Sequence, residues 1–285
     1  MSALLASTHA ELISARDENK SVAVVMTMGA LHEGHATLIR TARELVGRAG
    51  CVVVTDFVNP TQFGEGEDFD RYPRTLEHDL EVSGIAGADV VFAPSVQEMY
   101  GSSSLADLED QVMIEPGALG NILEGAVRPG HFKGMLTIVG KLLHLTAPQF
   151  ALYGEKDYQQ LALITSMVTQ LRFPVEVIGV PTVREDDGLA MSSRNRFLTK
   201  QERALASVLP RAIQAAAEVA KYDGAVAGVR AGKAILAEHA EIAVDYLVIT
   251  NPQLGPAQLG VGRVLVAARI GSTRLIDNVS CEIGA

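Results

Sequence analysis

The 285-residue chain has no tryptophan, two cysteines, an aromatic content of 5% and fewer basic than acidic side chains, 24 Lys and Arg against 34 Asp and Glu. Each shortage excludes something. Cys51 and Cys281 stand far apart with no CxxC pattern, so neither a zinc ribbon nor a redox dithiol is indicated, and both are expected as buried free thiols. The formal net charge of −10 leaves no basic surplus to neutralise phosphates in bulk, which argues against a nucleic acid or an anionic membrane as partner. A small anionic ligand is not excluded, since it needs only a few positioned cations. No apolar run approaches the roughly 20 residues that span a bilayer, and the N-terminus lacks a basic region followed by a long apolar run. The chain therefore reads as cytoplasmic. What is abundant is aliphatic: hydrophobic residues make up 48%, enough for a substantial core in one large or two smaller domains.

The most informative stretch is 22–46, VAVVMTMGALHEGHATLIRTARELV. Its first five residues are apolar and rich in β-branched side chains, the pattern of a strand buried on both faces. Thr27, Met28, Gly29 and Ala30 turn the chain, and from Gly34 onward Leu38, Ile39, Ala42, Leu45 and Val46 keep the spacing of one helix face. Strand, glycine loop and helix in this order place the loop at the carboxyl edge of an open parallel sheet, where ligands bind and helix N-termini attract anions. His32 and His35, three residues apart near the helix start, can both donate to a phosphate. An isolated HxGH is weak, because two polar residues in a solvated loop are the commoner explanation. A metalloprotease zinc site is not indicated, since it needs histidines four residues apart on an uninterrupted helix.

Two more junctions of this kind follow. Residues 51–55 repeat the buried-strand pattern and lead to Asn59 and Gln62, amides that plain turn chemistry around Asn-Pro also explains. Residues 150–153 lead to Gly154, Glu155, Lys156 and Asp157. Asp157 and Gln160 form an acceptable capping box for the next helix, whereas capping does not explain Lys156. The βα alternation ends at Pro181, after a fifth strand over 175–180. The loop 183–196 carries Met191, Ser192, Ser193 and Arg194, two hydroxyls beside a guanidinium that suit polyphosphate oxygens. A serine nucleophile is disfavoured there, as no G-x-S-x-G elbow is present. Residues 3–17 predict a short opening helix with Leu4, Leu5, Leu12 and Ile13 available for packing. The helix from 132 to 145 is apolar on nearly every face, the mark of a core or a subunit interface. Alanine-rich helices over 200–221 and 225–239, broken at Gly224, precede three short strands. The expected fold is a Rossmann-like open parallel sheet with helices on both faces, residues 1–182, followed by a smaller α+β domain, residues 183–285.

With these junctions in order, the chain resembles the pantothenate synthetase family. The matching pieces are TMGALHEGH at 27–35, FVNPTQF at 57–63, YPRT at 72–75, LEGAVRPGHF at 123–132, YGEKDYQQL at 153–161, REDDGLAMSSRN at 184–195, VDYL at 244–247 and RLIDN at 274–278. Several motifs in sequence are far more specific than HxGH alone, which a broad group of nucleotidyl-transferring enzymes shares. Three positions depart from the family pattern: Met26 stands where proline is usual, Asp56 where an apolar residue is usual, and His78 precedes Asp79 where paired aspartates are frequent.

The resemblance implies an ATP-dependent ligase that joins pantoate to β-alanine through a pantoyl-adenylate, acts as a homodimer and uses Mg2+. It implies that His32, His35 and Lys156 contact the ATP phosphates, with Ser192, Ser193 and Arg194 closing over them from the second domain. Thr27, Met28 and Gly34 would lie along the nucleotide, Gly154 and Asp157 at the ribose, and Val183 and Met191 at the adenine. Gln62 and Gln160 would hydrogen-bond pantoate, Met28 would meet its methyl groups, and Asn59 would position the reacting ends. His131 and Arg128 would support this set from behind, and Asp79 is the candidate metal ligand, weakened by His78. Two other readings share some of these features: a nucleotidylyltransferase acting on a phosphorylated acceptor such as phosphopantetheine, and a non-catalytic ATP-binding module.

Overall fold

The computed structural model describes residues 3–16, 20–64, 67, 69–102, 106–108 and 111–285. The chain divides into two compact units, Met1–Gly154 with Leu163–Val180, and Glu155–Ala162 with Pro181–Ala285.

The first unit is built on β1 (Leu4–Ala6), α1 (His9–Ala15), β2 (Val22–Thr27), α2 (Glu33–Val46), β3 (Cys51–Asp56), α3 (Leu76–Ala86), β4 (Val90–Phe92), α4 (Val96–Tyr100), α5 (Glu124–Val127), α6 (His131–Thr146), β5 (Phe150–Gly154), the later part of α7 (Tyr158–Gln170) and β6 (Glu176–Val180). Its strands form one parallel sheet in the order β1-β4-β3-β2-β5-β6. Ala23, Val24, Val25, Val52, Val53 and Val54 are fully buried, as the continuous β-branched runs require of strands covered on both faces. From β2 the chain builds through β3 and β4 to one side, then returns to place β5 and β6 on the other. The strand order therefore reverses between β2 and β5, the place where open α/β sheets bind ligands.

The opening segment departs from the expected helix over 3–17. Leu4–Ala6 pairs in parallel with Val90–Phe92, and the helix is confined to His9–Ala15, started by a reciprocal capping box between Thr8 and Glu11. Leu4, Leu5 and Ile13 are exposed and only Leu12 of the four predicted packing residues is buried. Backbone bonds from Leu4 to Asp89 and from Ala93 to Ala6 explain the difference, because strand pairing with a distant segment overrides local helical spacing. In α6, twelve of sixteen residues are buried within the single chain, so its apolar surface is accounted for by the core rather than by a subunit interface. Gly134 allows the close approach: a Cβ there would lie 2.1 Å from the Thr61 carbonyl oxygen.

The second unit packs α8 (Lys200–Ala206) and α9 (Val208–Ala237) on an antiparallel sheet of β7 (Ile242–Thr250), β8 (Gly260–Ile270) and β9 (Thr273–Ile283). Gly224, at φ 78 and ψ 172, breaks α9 into two arms. Ala212, Ala216 and Ala220 on one arm meet Gly228 and Gly232 on the other, where an added Cβ would lie 2.5 and 2.8 Å from the carbonyl oxygens of Ala216 and Ala212. The alanine-rich composition is thus the requirement of a tight helical hairpin. Residues Glu155–Ala162, expected within the first domain, group with this unit. Asn278 on β9 donates to the carbonyls of Glu155 and Lys156, and Arg263 on β8 pairs with Glu155.

Candidate active site

The loop between β2 and α2 is braced by its own hydrogen bonds. The Thr27 hydroxyl donates to the Thr55 carbonyl at 2.7 Å and accepts from Gly29 N–H at 3.1 Å, so it anchors the loop entrance. His32 caps α2: its Nδ1 accepts from Gly34 N–H at 3.1 Å, and Nδ1 of His35 accepts from His32 N–H at 3.3 Å. With Nδ1 an acceptor in both rings, the neutral tautomer carries its proton on Nε2. The ring centroids are 4.1 Å apart. Both rings sit at the positive end of a fourteen-residue helix, where negative charge is favoured.

Behind this loop lies Asp79 of α3, completely buried. Its Oδ1 accepts from Leu31 N–H at 2.7 Å, and its Oδ2 from Ala30 N–H and the Thr75 hydroxyl, both at 3.0 Å. Ala30 holds φ 52, a left-handed conformation that costs an alanine about 1–2 kcal/mol. The carboxyl clamps the loop in that shape. Asp79 is therefore placed as the support of the histidine loop, with both oxygens already engaged, a position that does not suit the metal role expected for it. Asp56, at the end of β3, hydrogen-bonds Asp79, and burial followed by the neighbouring Asp79 charge pushes its pKa up to about 7. Gly29 must be glycine, since a Cβ would lie 2.5 Å from Asp56 Oδ1 and φ is 81.

Three of the expected pantoate contacts come together in the first unit. Asn59 Nδ2 donates to Gln62 Oε1 at 3.1 Å and to the Gly134 carbonyl at 3.2 Å, and Gln62 Nε2 lies 3.0 Å from Met28 Sδ. Asn59 and Gln62 are buried. Sequence reasoning missed Tyr100, whose hydroxyl donates to Asn59 Oδ1 at 2.6 Å and whose ring lies 4.1 Å under the Lys141 ammonium. His131 Nδ1 is 2.8 Å from the Gln62 carbonyl, its Nε2 is 3.1 Å from Arg128, and Arg128 forks onto Glu67 at 2.8 and 2.6 Å. Burial, reinforced by Arg128, lowers the His131 pKa to about 4. The ring is thus a neutral strut, donating from Nδ1 and accepting at Nε2, which fixes the backbone that carries Gln62.

The second unit holds the remaining candidates, all half-buried. Lys156 Nζ lies 3.6 Å from Asp157 Oδ2 in a single 3-10 turn that leads into α7 and Gln160. Val183 accepts from Met191 N–H at 2.9 Å, closing a hairpin bridged by Arg184 and Ala190. Ser192 then caps a turn, its Oγ accepting from Arg194 N–H at 3.2 Å. Asn195 Nδ2 ties this turn to Glu185 at 3.0 Å and to the Ala190 carbonyl at 3.1 Å. The hydroxyls of Ser192 and Ser193 and the Arg194 guanidinium are presented from one short, well-braced segment.

The switch point of the parallel sheet thus falls at a loop that brings two imidazoles to a helix N-terminus. A family profile described as pantoate-beta-alanine ligase matches residues 4–280. The chain is 54% identical to a pantothenate synthetase of Nocardioides sp. over 281 residues, covering 96% of this chain and 82% of the relative. A crystal structure of pantothenate synthetase from Thermus thermophilus superposes with a TM-score of 0.89 at 47% identity, covering 97% of this chain and 98% of that one. A Francisella tularensis pantoate-beta-alanine ligase, solved in complex with beta-gamma ATP and beta-alanine, gives a TM-score of 0.79 at 33% identity with 97% of each chain covered. The chain belongs to the pantoate–β-alanine ligase family.

Proposed function

We propose that this protein condenses pantoate with β-alanine at the expense of ATP, giving pantothenate, AMP and pyrophosphate through a pantoyl-adenylate. The observation that carries this reading is the preset pair His32 and His35, with Nδ1 of each tied to the α2 backbone and the proton held on Nε2. In the first step a pantoate carboxylate oxygen attacks the α-phosphorus of ATP and the bond to pyrophosphate breaks. Charge grows on the phosphoryl oxygens and on the leaving group, and fixed donors lower the barrier because they need no reorganisation. His32, His35, Lys156, Ser192, Ser193 and Arg194 supply those donors. Gly154 and Asp157 take the ribose, Val183 and Met191 the adenine, and Gly34 leaves room at the helix start.

Pantoate is held by Asn59, Gln62 and Gln160, with Met28 against its methyl groups. In the second step the β-alanine amine attacks the activated acyl carbon, AMP leaves with the acyl C–O electron pair, and the amine proton passes to solvent or to AMP. A cluster of two buried amides and a thioether suits a small branched hydroxy acid. Asp79 does not fit the role of a Mg2+ ligand, because its oxygens already accept from Ala30, Leu31 and Thr75. Magnesium carried on the ATP phosphates would need no more. The family resemblance supports a homodimer in the cytoplasm; no helix among the described residues is long and apolar enough to cross a membrane. Product analysis tests the proposal: one AMP per pantothenate supports it, and ADP or a nucleotide-bearing product contradicts it.

A further inference from the structure

The adjacent residues Asp277 and Asn278 of β9 are both almost fully buried, at 2% and 3% exposure. The polar atoms of Asn278 are all engaged. Its Nδ2 donates both hydrogens at 2.9 Å, one to the Glu155 carbonyl and one to the Lys156 carbonyl. Its Oδ1 accepts from Arg263 Nη1 at 3.0 Å, its N–H donates to Asp277 Oδ1 at 2.7 Å, and its carbonyl accepts from Arg184 Nη2 at 3.0 Å. Arg263 also reaches Glu155 Oε2 at 3.2 Å and stacks 4.0 Å from the Tyr158 ring. Asp277 takes a bidentate grip on Arg184 at 2.7 and 2.9 Å, and the same guanidinium holds the Gly188 carbonyl at 2.9 Å. Arg184 begins the hairpin that delivers Met191, Ser192, Ser193 and Arg194.

Two segments well separated in sequence, each carrying cations or hydroxyls assigned to the ATP phosphates, are thus pinned to neighbouring residues of one strand. The Lys156 turn is only three residues long and has no ladder of its own. We propose that Asp277 and Asn278 are positioning residues for adenylation, fixing the Lys156 turn and the Ser192–Arg194 turn in a common frame so that their donors meet the departing pyrophosphate together. The pair acts through Lys156 and Arg184. The inference rests on the phosphate role given to Lys156 above.

The test uses the full-length enzyme and separates the two half-reactions. Asn278→Asp is nearly isosteric, keeps the Arg263 partner and replaces two donated hydrogens by a carboxylate oxygen facing two carbonyls. It should slow pantoate-dependent pyrophosphate–ATP exchange by roughly 10- to 100-fold, the loss expected from a misplacement on the order of 1 Å. Conversion of supplied pantoyl-adenylate and β-alanine to pantothenate, which no longer involves pyrophosphate, should stay within about 2-fold. In a double-mutant cycle with Lys156→Ala, the Asn278→Asp loss should largely vanish, because it acts through the lysine. Losses that multiply in the cycle, an exchange rate unchanged by Asn278→Asp, or equal loss of both half-reactions together with a collapsed melting temperature would each overturn the inference. If Asn278→Asp does not fold, Arg263→Lys, which keeps a positive charge beside Glu155 but loses the planar guanidinium whose Nη1 joins Glu155 to Asn278, is put through the same cycle with the same outcomes. A silent Lys156→Ala would remove the functional reading itself, whereas a slow Lys156→Ala beside a normal Asn278→Asp would remove only the positioning role.

Discussion

The carboxyl of Asp56 is hydrogen-bonded to the carboxyl of Asp79, and the second of these holds the N–H groups of Ala30 and Leu31. Two carboxyls in such contact share a proton, and the raised pKa of Asp56, about 7, assigns it there. A carboxyl whose folded pKa lies above its unfolded value contributes stability that is fully present below the unfolded pKa and lost as pH rises through the folded one. Asp56→Asn keeps a donor toward Asp79 at every pH. Its melting temperature should equal that of the parent near pH 4 and exceed it increasingly up to about pH 8, by several degrees, because a rise from 3.8 to about 7 is on the order of 4 kcal/mol. Parallel melting curves across that range would show that Asp56 does not titrate near neutrality.

Asp79→Asn separates clamp from ligand. An amide nitrogen would face the Ala30 or Leu31 N–H, so the exchange rate should fall on the order of 100-fold, as for a displaced set of transition-state donors, while the Mg2+ concentration for half-maximal rate stays where it was. A large rise in that concentration would restore the metal role.

Much of this was legible in the sequence, and the exceptions share a cause. The β2–loop–α2 unit could be read because its signals are local: a β-branched run, glycines at the turn and helical spacing after it. The same holds for the break at Gly224. The strand Leu4–Ala6 was not legible, since three residues have no period and its identity comes from pairing with Val90–Phe92. Tyr100 was invisible for the same reason, as it reaches Asn59 across 41 residues. The clamp role of Asp79 depends on backbone N–H groups 48 and 49 residues away, which no motif announces. RLIDN could be matched to a family but not explained, because its partners lie in two other segments.

Tyr100→Phe removes one hydrogen bond to Asn59, worth about 1 kcal/mol. The KM for pantoate should rise about 3- to 10-fold with the KM for ATP unchanged, the effect of losing that much binding free energy. Equal effects on both would mean that Tyr100 acts on the fold and not on the acid-binding cluster.

Bound nucleotide should shield the segment Ser192–Arg194. Limited proteolysis at the neighbouring arginines is expected to slow when ATP is added, because a ligand seated on the braced turn blocks access to its backbone. Cleavage at the same rate with and without ATP would count against ATP binding at this turn.

The most direct measurement is exchange of labelled pyrophosphate into ATP with pantoate present and β-alanine absent. The account predicts pantoate-dependent exchange in the parent protein, slowed roughly 100- to 1,000-fold by Lys156→Ala at an unchanged melting temperature. No exchange with pantoate, or exchange only with a phosphorylated acceptor, would contradict it.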